Sequence, residues 1–89
     1  MPSGCLAVTL TIYSKPGCHL CDDMKAVVHS VARRMPGRLT VEEVDISTDP
    51  ALEARYRVEI PVLVIDGARV AKYRITEAEL TRAIDARQP

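Results

Sequence analysis

An α/β fold is predicted for this 89-residue chain, with a four-stranded mixed sheet, elements in the order β-α-β-α-β-β-α and helices on both faces. Three observations lead there. Apolar residues alternate with threonine near the start, the next stretch carries them at helical spacing, and an Asp-Gly pair joins two apolar runs in the last third. A strand, a crossover helix and a second strand give a right-handed parallel unit, to which a terminal hairpin adds an antiparallel edge.

Each element has its own signal. Ala7 to Tyr13, "AVTLTIY", interleaves Val8, Leu10 and Ile12 with Thr9 and Thr11, as a strand does, and Ser14 to Gly17 breaks it. From His19 onward Leu20, Met24, Val27, Val28, Val31 and Met35 follow helical spacing until Pro36-Gly37 stops them. Leu39 to Ile46, "LTVEEVDI", returns to strand composition. Asp49-Pro50 opens a short helix, Asp as N-cap and Pro in the first turn, with Leu52 and Tyr56 one turn apart. Pro61 precedes the strand "VLVID", and Asp66-Gly67 turns the chain into "ARVAKY". Thr76 and Glu79 make a capping box for a last helix with Leu80, Ala83 and Ile84 on one face. With no linker or repeat in between, residues 1–89 are expected to form a single domain.

Composition narrows the function classes. Twelve basic residues balance twelve acidic ones, which argues against nucleic acid as a partner, since that binding needs a basic surplus or stripe. No apolar run approaches the roughly 20 residues that span a bilayer, so no membrane association is expected. The opening "MPSGCLAVTLTIY" has no basic n-region, and three cysteines is an odd count for a disulfide-stapled secreted scaffold. A monomer in the reducing cytoplasm is expected.

The stretch "KPGCHLCDDMK" carries the chemistry. Cys18 and Cys21 stand after a turn and at the mouth of a helix, where free N–H groups and the positive end of the helix dipole favour a thiolate. Lys15 favours the anion and Asp22 and Asp23 oppose it, so a lowered Cys18 pKa, limited by the acidic pair, is expected. Strand, CxxC, then helix is the context in which this motif reads as redox-active. Two other readings stay open: a zinc site, although one CxxC supplies two ligands where a closed site needs four, and two inert buried cysteines. Cys5 has no partner in the sequence and reads as an incidental thiol. Pro61, opening a strand, is easiest to accommodate if Ile60-Pro61 is cis and leaves Ile60 backbone groups free for a partner.

On "YSKPGCHLC" and "EIPVLVIDG" the chain resembles the glutaredoxins of the thioredoxin-like superfamily, most of all a small glutaredoxin-like subgroup with Cys-His-Leu-Cys. The resemblance covers nearly the whole chain. It implies a thioredoxin-like fold and thiol–disulfide oxidoreductase activity toward a disulfide-containing protein or a small-molecule thiol substrate. Under it Cys18 is the nucleophile, Cys21 the resolving thiol and Pro61 the cis-proline beside them. Lys15, Ile60 and Thr76 would contact substrate, Lys15 at the carboxylate of glutathione and Ile60 through its backbone. No cofactor is expected to be tightly bound, with glutathione a candidate reductant. Two other functions are compatible with the resemblance: a [2Fe–2S] carrier using glutathione, and a non-catalytic thioredoxin-like binding module. The chain departs from the family in having His19 and Leu20 where an aromatic residue is usual. It also has "YRITEAE" where a Gly-Gly and a polar residue usually precede the last helix, which puts Arg74 and Ile75 in place of glycine.

Overall fold

Alternation along Val8–Ser14 (β1) buries Val8, Leu10, Ile12 and Ser14 on one side of the sheet and leaves Thr9, Thr11 and Tyr13 on the other. The computed structural model describes residues 8–87, so Cys5 and the expected strand start at Ala7 lie outside the described residues. β1 pairs in parallel with Leu39–Asp45 (β2), from Val8 opposite Leu39 to Ser14 opposite Asp45. On its other side β1 is antiparallel to Val62–Ile65 (β3), with Leu10 opposite Ile65 and Tyr13 opposite Val62. Ala68–Lys72 (β4) completes the sheet beside β3, with a register irregularity at Leu63 and Val64. The strand order is β2-β1-β3-β4.

Two apolar clusters, one on each face, hold the helices. His19–Arg34 (α1) contributes Met24, Val28 and Val31, and Glu77–Asp85 (α3) contributes Leu80 and Ile84, to a core with Val8, Leu10, Ile12, Leu63 and Ile65. Pro50–Tyr56 (α2) lies against the opposite face, where Tyr56 joins Ile46 and Val62, with Tyr13, Leu52, Ile60 and Val64 packed around them. The rings of Tyr13 and Tyr56 stack with centroids 4.6 Å apart. The sheet is thus four-stranded and mixed with helices on both faces, as expected.

Local chemistry fixes the joints. The hairpin turn has both central residues at positive φ, Asp66 at 49° and Gly67 at 85°, as a two-residue type I′ turn demands. The Asp66 carboxylate also accepts the Thr9 N–H at 2.9 Å, and the Asp66 N–H donates to the Thr9 carbonyl at 2.9 Å, which ties the turn to β1. β2 stops one residue earlier than its composition suggested. Asp45 accepts both the N–H (2.8 Å) and the hydroxyl (2.6 Å) of Ser47, and Ile46–Thr48 winds into a single 3-10 turn. Those Ser47 bonds hold the Asp45 carboxyl below its usual pKa.

α3 begins with a capping box. The Thr76 hydroxyl accepts the Glu79 N–H at 3.1 Å, and the Glu79 carboxylate accepts the Thr76 N–H at 3.0 Å. Arg34, in the last turn of α1, reaches Glu77 at 2.6 Å and joins the two helices. Thr76→Ala is expected to lower unfolding free energy by about 1 kcal/mol, read as a lower urea midpoint at unchanged m value. An unchanged midpoint would mean that the cap is redundant.

Candidate active site

The cysteine-bearing end of the molecule is built where β1 runs out of the sheet. Pro16 and Gly17 turn the chain, and Gly17 takes a φ of 81° that glycine adopts without steric cost. Cys18 follows as the N-cap of α1. Its Sγ accepts the Cys21 N–H at 3.1 Å and its carbonyl accepts the Asp22 N–H at 3.1 Å, so the first turn of the helix is closed around the cysteine. Cys18 is half-buried, whereas Cys21 is fully buried among the core residues of α1. The two are joined by a disulfide, with Cα atoms 5.2 Å apart.

The sheet register brings a second segment to the same end. Because Tyr13 lies opposite Val62, the turn leaving β1 and the Ile60-Pro61 segment entering β3 emerge side by side. The Ile60-Pro61 peptide is cis and Pro61 is buried, with Ile60 half-buried. The Ile60 N–H is already used: it donates to the Tyr56 carbonyl at 3.1 Å, as does the Glu59 N–H at 2.7 Å. No described group donates to the Ile60 carbonyl. Of the two backbone groups expected to be free at Ile60, the structure leaves the carbonyl, because α2 ends close enough for its last carbonyl to reach over the loop.

Tyr73 holds this loop from outside. Its N–H donates to the Pro61 carbonyl at 2.8 Å and its hydroxyl to the Val58 carbonyl at 3.0 Å, so one residue brackets residues 58–61. It does so at a φ of 70°, a conformation uncommon for a bulky side chain. Nothing in the sequence marks it, since a tyrosine after a strand carries no sign of a left-handed backbone. Next to the strap, Glu59 meets Arg69 at 2.8 Å and Lys72 at 3.7 Å. The Arg69 hydrogen bond holds the Glu59 carboxyl below its usual pKa.

The remaining candidates are distributed around this centre. Lys15 is exposed and lines a shallow recess with Ser14, Pro16, Lys25 and Asp45 at the ends of β1 and β2. Thr76 lines an open cleft of about 260 Å³ together with Asp23, Met24, Arg74, Ile75 and Tyr73, but its N–H is taken by the α3 cap. Glu77 pairs with Arg34 and is not part of that cleft wall. The side chains of Arg74 and Ile75 instead line the space that glycines would have left open. Among the described residues no three His, Cys, Asp or Glu side chains converge as metal ligands, and no helix is long and apolar enough to cross a membrane.

Comparison with known proteins bears on this geometry. Residues 9–85 match the family model described as "Glutaredoxin-like domain (DUF836)". The chain is similar to a glutaredoxin-like protein of Dictyostelium discoideum, the YDR286C homolog, with 30% identity over 78 residues that cover 83% of this chain and 72% of the relative. It is also similar to a thioredoxin of Methanocaldococcus jannaschii, with 31% identity over 61 residues covering 67% of this chain and 72% of the relative. Among solved structures, structural genomics target protein XcR50 from X. campestris superposes with a TM-score of 0.67 at 32% identity, covering 86% of this chain and 96% of that one. Chloroplastic thioredoxin z superposes with a TM-score of 0.76 at 20% identity, over 91% of this chain and 78% of that one, and speaks for the thioredoxin-like fold alone.

Proposed function

The chain belongs to the glutaredoxin-like family of the thioredoxin superfamily, and on that premise we propose that it is a dithiol–disulfide oxidoreductase working through Cys18 and Cys21. The observation that carries the reading is the disulfide between an N-cap cysteine and a buried cysteine one turn inside the same helix.

Each position suits its part. Cys18 is the more accessible sulfur, and in the reduced protein the helix N-terminus and the Cys21 N–H would face its thiolate, a charge-assisted contact stronger than that to a neutral thiol. This thiolate attacks one sulfur of a substrate disulfide; the other leaves as a thiolate and takes a proton. Cys21 then gives up its proton and attacks the Cys18 sulfur, which releases the second substrate thiol and leaves Cys18–Cys21 oxidised. Two electrons pass from the dithiol to the substrate. A thiol reductant, glutathione or a protein dithiol, restores the pair, and cytoplasmic poise suits that cycle.

For glutathione, Lys15 and the Ile60 carbonyl remain available, while the Ile60 N–H and the Thr76 N–H are engaged within the chain. That balance favours a dithiol reductant. Titration of the purified protein against glutathione redox buffers, read by mass and by thiol labelling, is the test. A two-electron Cys18–Cys21 transition is expected, without an accumulating glutathione adduct on Cys18. An adduct on the way would assign the reductant to glutathione. Absence of any transition would remove the oxidoreductase reading in favour of a binding module.

A further inference from the structure

The open cleft of about 260 Å³ runs between α1 and the segment that leads into α3. Its apolar lining is Met24, Val27 and Ile75, the first buried and the other two half-buried against the main core. Such a floor is held in place by the packed layer beneath it. Sites that enclose a free small molecule are mostly larger, roughly 300–1,000 Å³, and bury most of its surface. A smaller cleft that stays open suits a single side chain carried on a larger body.

Charge indicates which side chain. Asp23, exposed on α1, forms no ion pair among the described residues. Glu79, on α3, gives one carboxylate oxygen to the Thr76 N–H and leaves the other uncommitted. That Thr76 bond holds the Glu79 carboxyl below its usual pKa, so the group is charged at neutral pH. Arg82, three residues further along α3, adds a positive field at Glu79 without pairing with it. The cation in the lining is Arg74, exposed and likewise unpaired among the described residues. Two carboxylates against one guanidinium leave the cleft net negative, and the guanidinium offers donors alone. The complement of this lining is an aliphatic stem, a cationic head and a carbonyl oxygen. A lysine residue within a peptide has all three, and its methylenes lie along apolar surface while the ammonium stays at a polar rim.

We propose that the cleft is a recognition site for a lysine residue of a polypeptide partner. The lysine stem lies on Met24, Val27 and Ile75, and its ammonium meets the carboxylates of Asp23 and Glu79. The main-chain carbonyl of the same residue accepts a hydrogen bond from the Arg74 guanidinium. Asp23 follows Cys21 by two residues, so a partner seated here is held beside the helical turn that carries the cysteines. The site selects by one side chain, through binding alone, and does not depend on the oxidoreductase reading.

Amide NMR titration of the full chain, with its disulfide intact, is the test, and acetyl-Gly-Lys-Gly-amide is the probe. Companion peptides carry norleucine or glutamate in place of the lysine, and n-pentylamine supplies stem and charge without a peptide. The lysine peptide is expected to shift the amides of residues 23–27 and 74–79. It should bind roughly two- to fivefold tighter than the norleucine peptide, the scale of an exposed ion pair. Salt should erase that margin as the charges are screened. Asp23→Asn and Glu79→Gln, the latter keeping an oxygen for the Thr76 N–H, should each shrink the margin and leave the norleucine peptide unchanged. A role confined to folding would move both peptides together. Arg74→Gln should weaken the lysine peptide and leave n-pentylamine as it was. Equal binding of the lysine and norleucine peptides, tighter binding of the glutamate peptide, or shifts confined to other residues would overturn the proposal. Binding of n-pentylamine as tight as that of the lysine peptide would overturn the polypeptide partner in favour of a free amine.

Discussion

Cys18→Ser is expected to lower disulfide reduction by more than about a thousandfold, the scale on which losing a nucleophile is felt, while leaving the fold intact. Serine at the N-cap still accepts the helix N–H that Cys18 Sγ now accepts, so the loss is chemical and not structural. Cys21→Ser has a different expected signature. The attack by Cys18 remains, but the mixed disulfide it forms has no internal thiol to resolve it and should accumulate, visible as protein plus half of the substrate disulfide by mass. Full turnover in the Cys18 variant, or failure of the Cys21 variant to trap an adduct, would reassign the roles.

The second large effect concerns stability. Leu10 lies on the central strand, fully buried, with Val41 and Ile65 as its strand partners, and faces the helix-covered core. Leu10→Ala removes its side chain from the middle of a packed layer and is expected to cost about 2–5 kcal/mol. Against a total of roughly 5–15 kcal/mol for a domain of this kind, much of the folded margin goes. Urea denaturation measures it. A loss under about 1 kcal/mol would mean that the layer repacks around the gap, contrary to the rigidity expected of such cores.

Most of this architecture was legible because the chain punctuates itself. Pro16-Gly17 and Pro36-Gly37 bracket α1, Asp49-Pro50 starts α2, Asp66-Gly67 makes the hairpin, and Thr76 with Glu79 starts α3; each signal is a local property of a residue type. The disulfide-bonded pair was legible for the same reason, being three residues apart within one turn of helix. What escaped depends on groups far apart in sequence. The engagement of the Ile60 N–H depends on where the last carbonyl of α2 falls. The strap from Tyr73 needs a left-handed backbone that tyrosine does not advertise, and partners at Val58 and Pro61 supplied by the sheet. Ile46 leaving the strand is subtler, since its composition suits β2 and only the Asp45–Ser47 bonds divert it.

The register that sets Tyr13 opposite Val62 has a consequence for redesign. The sulfur chemistry is written in one short helical turn, and the surface beside it comes from a loop some forty positions later, with only the sheet between them. The two can therefore be exchanged separately. Replacing His19 and Leu20, the residues between the cysteines, should retune redox behaviour while leaving the loop of residues 57–60 as it was. Grafting another loop in place of residues 57–60, with its matching residue at Tyr73, should reshape the surface beside the cysteines while leaving the helical turn that carries them as it was.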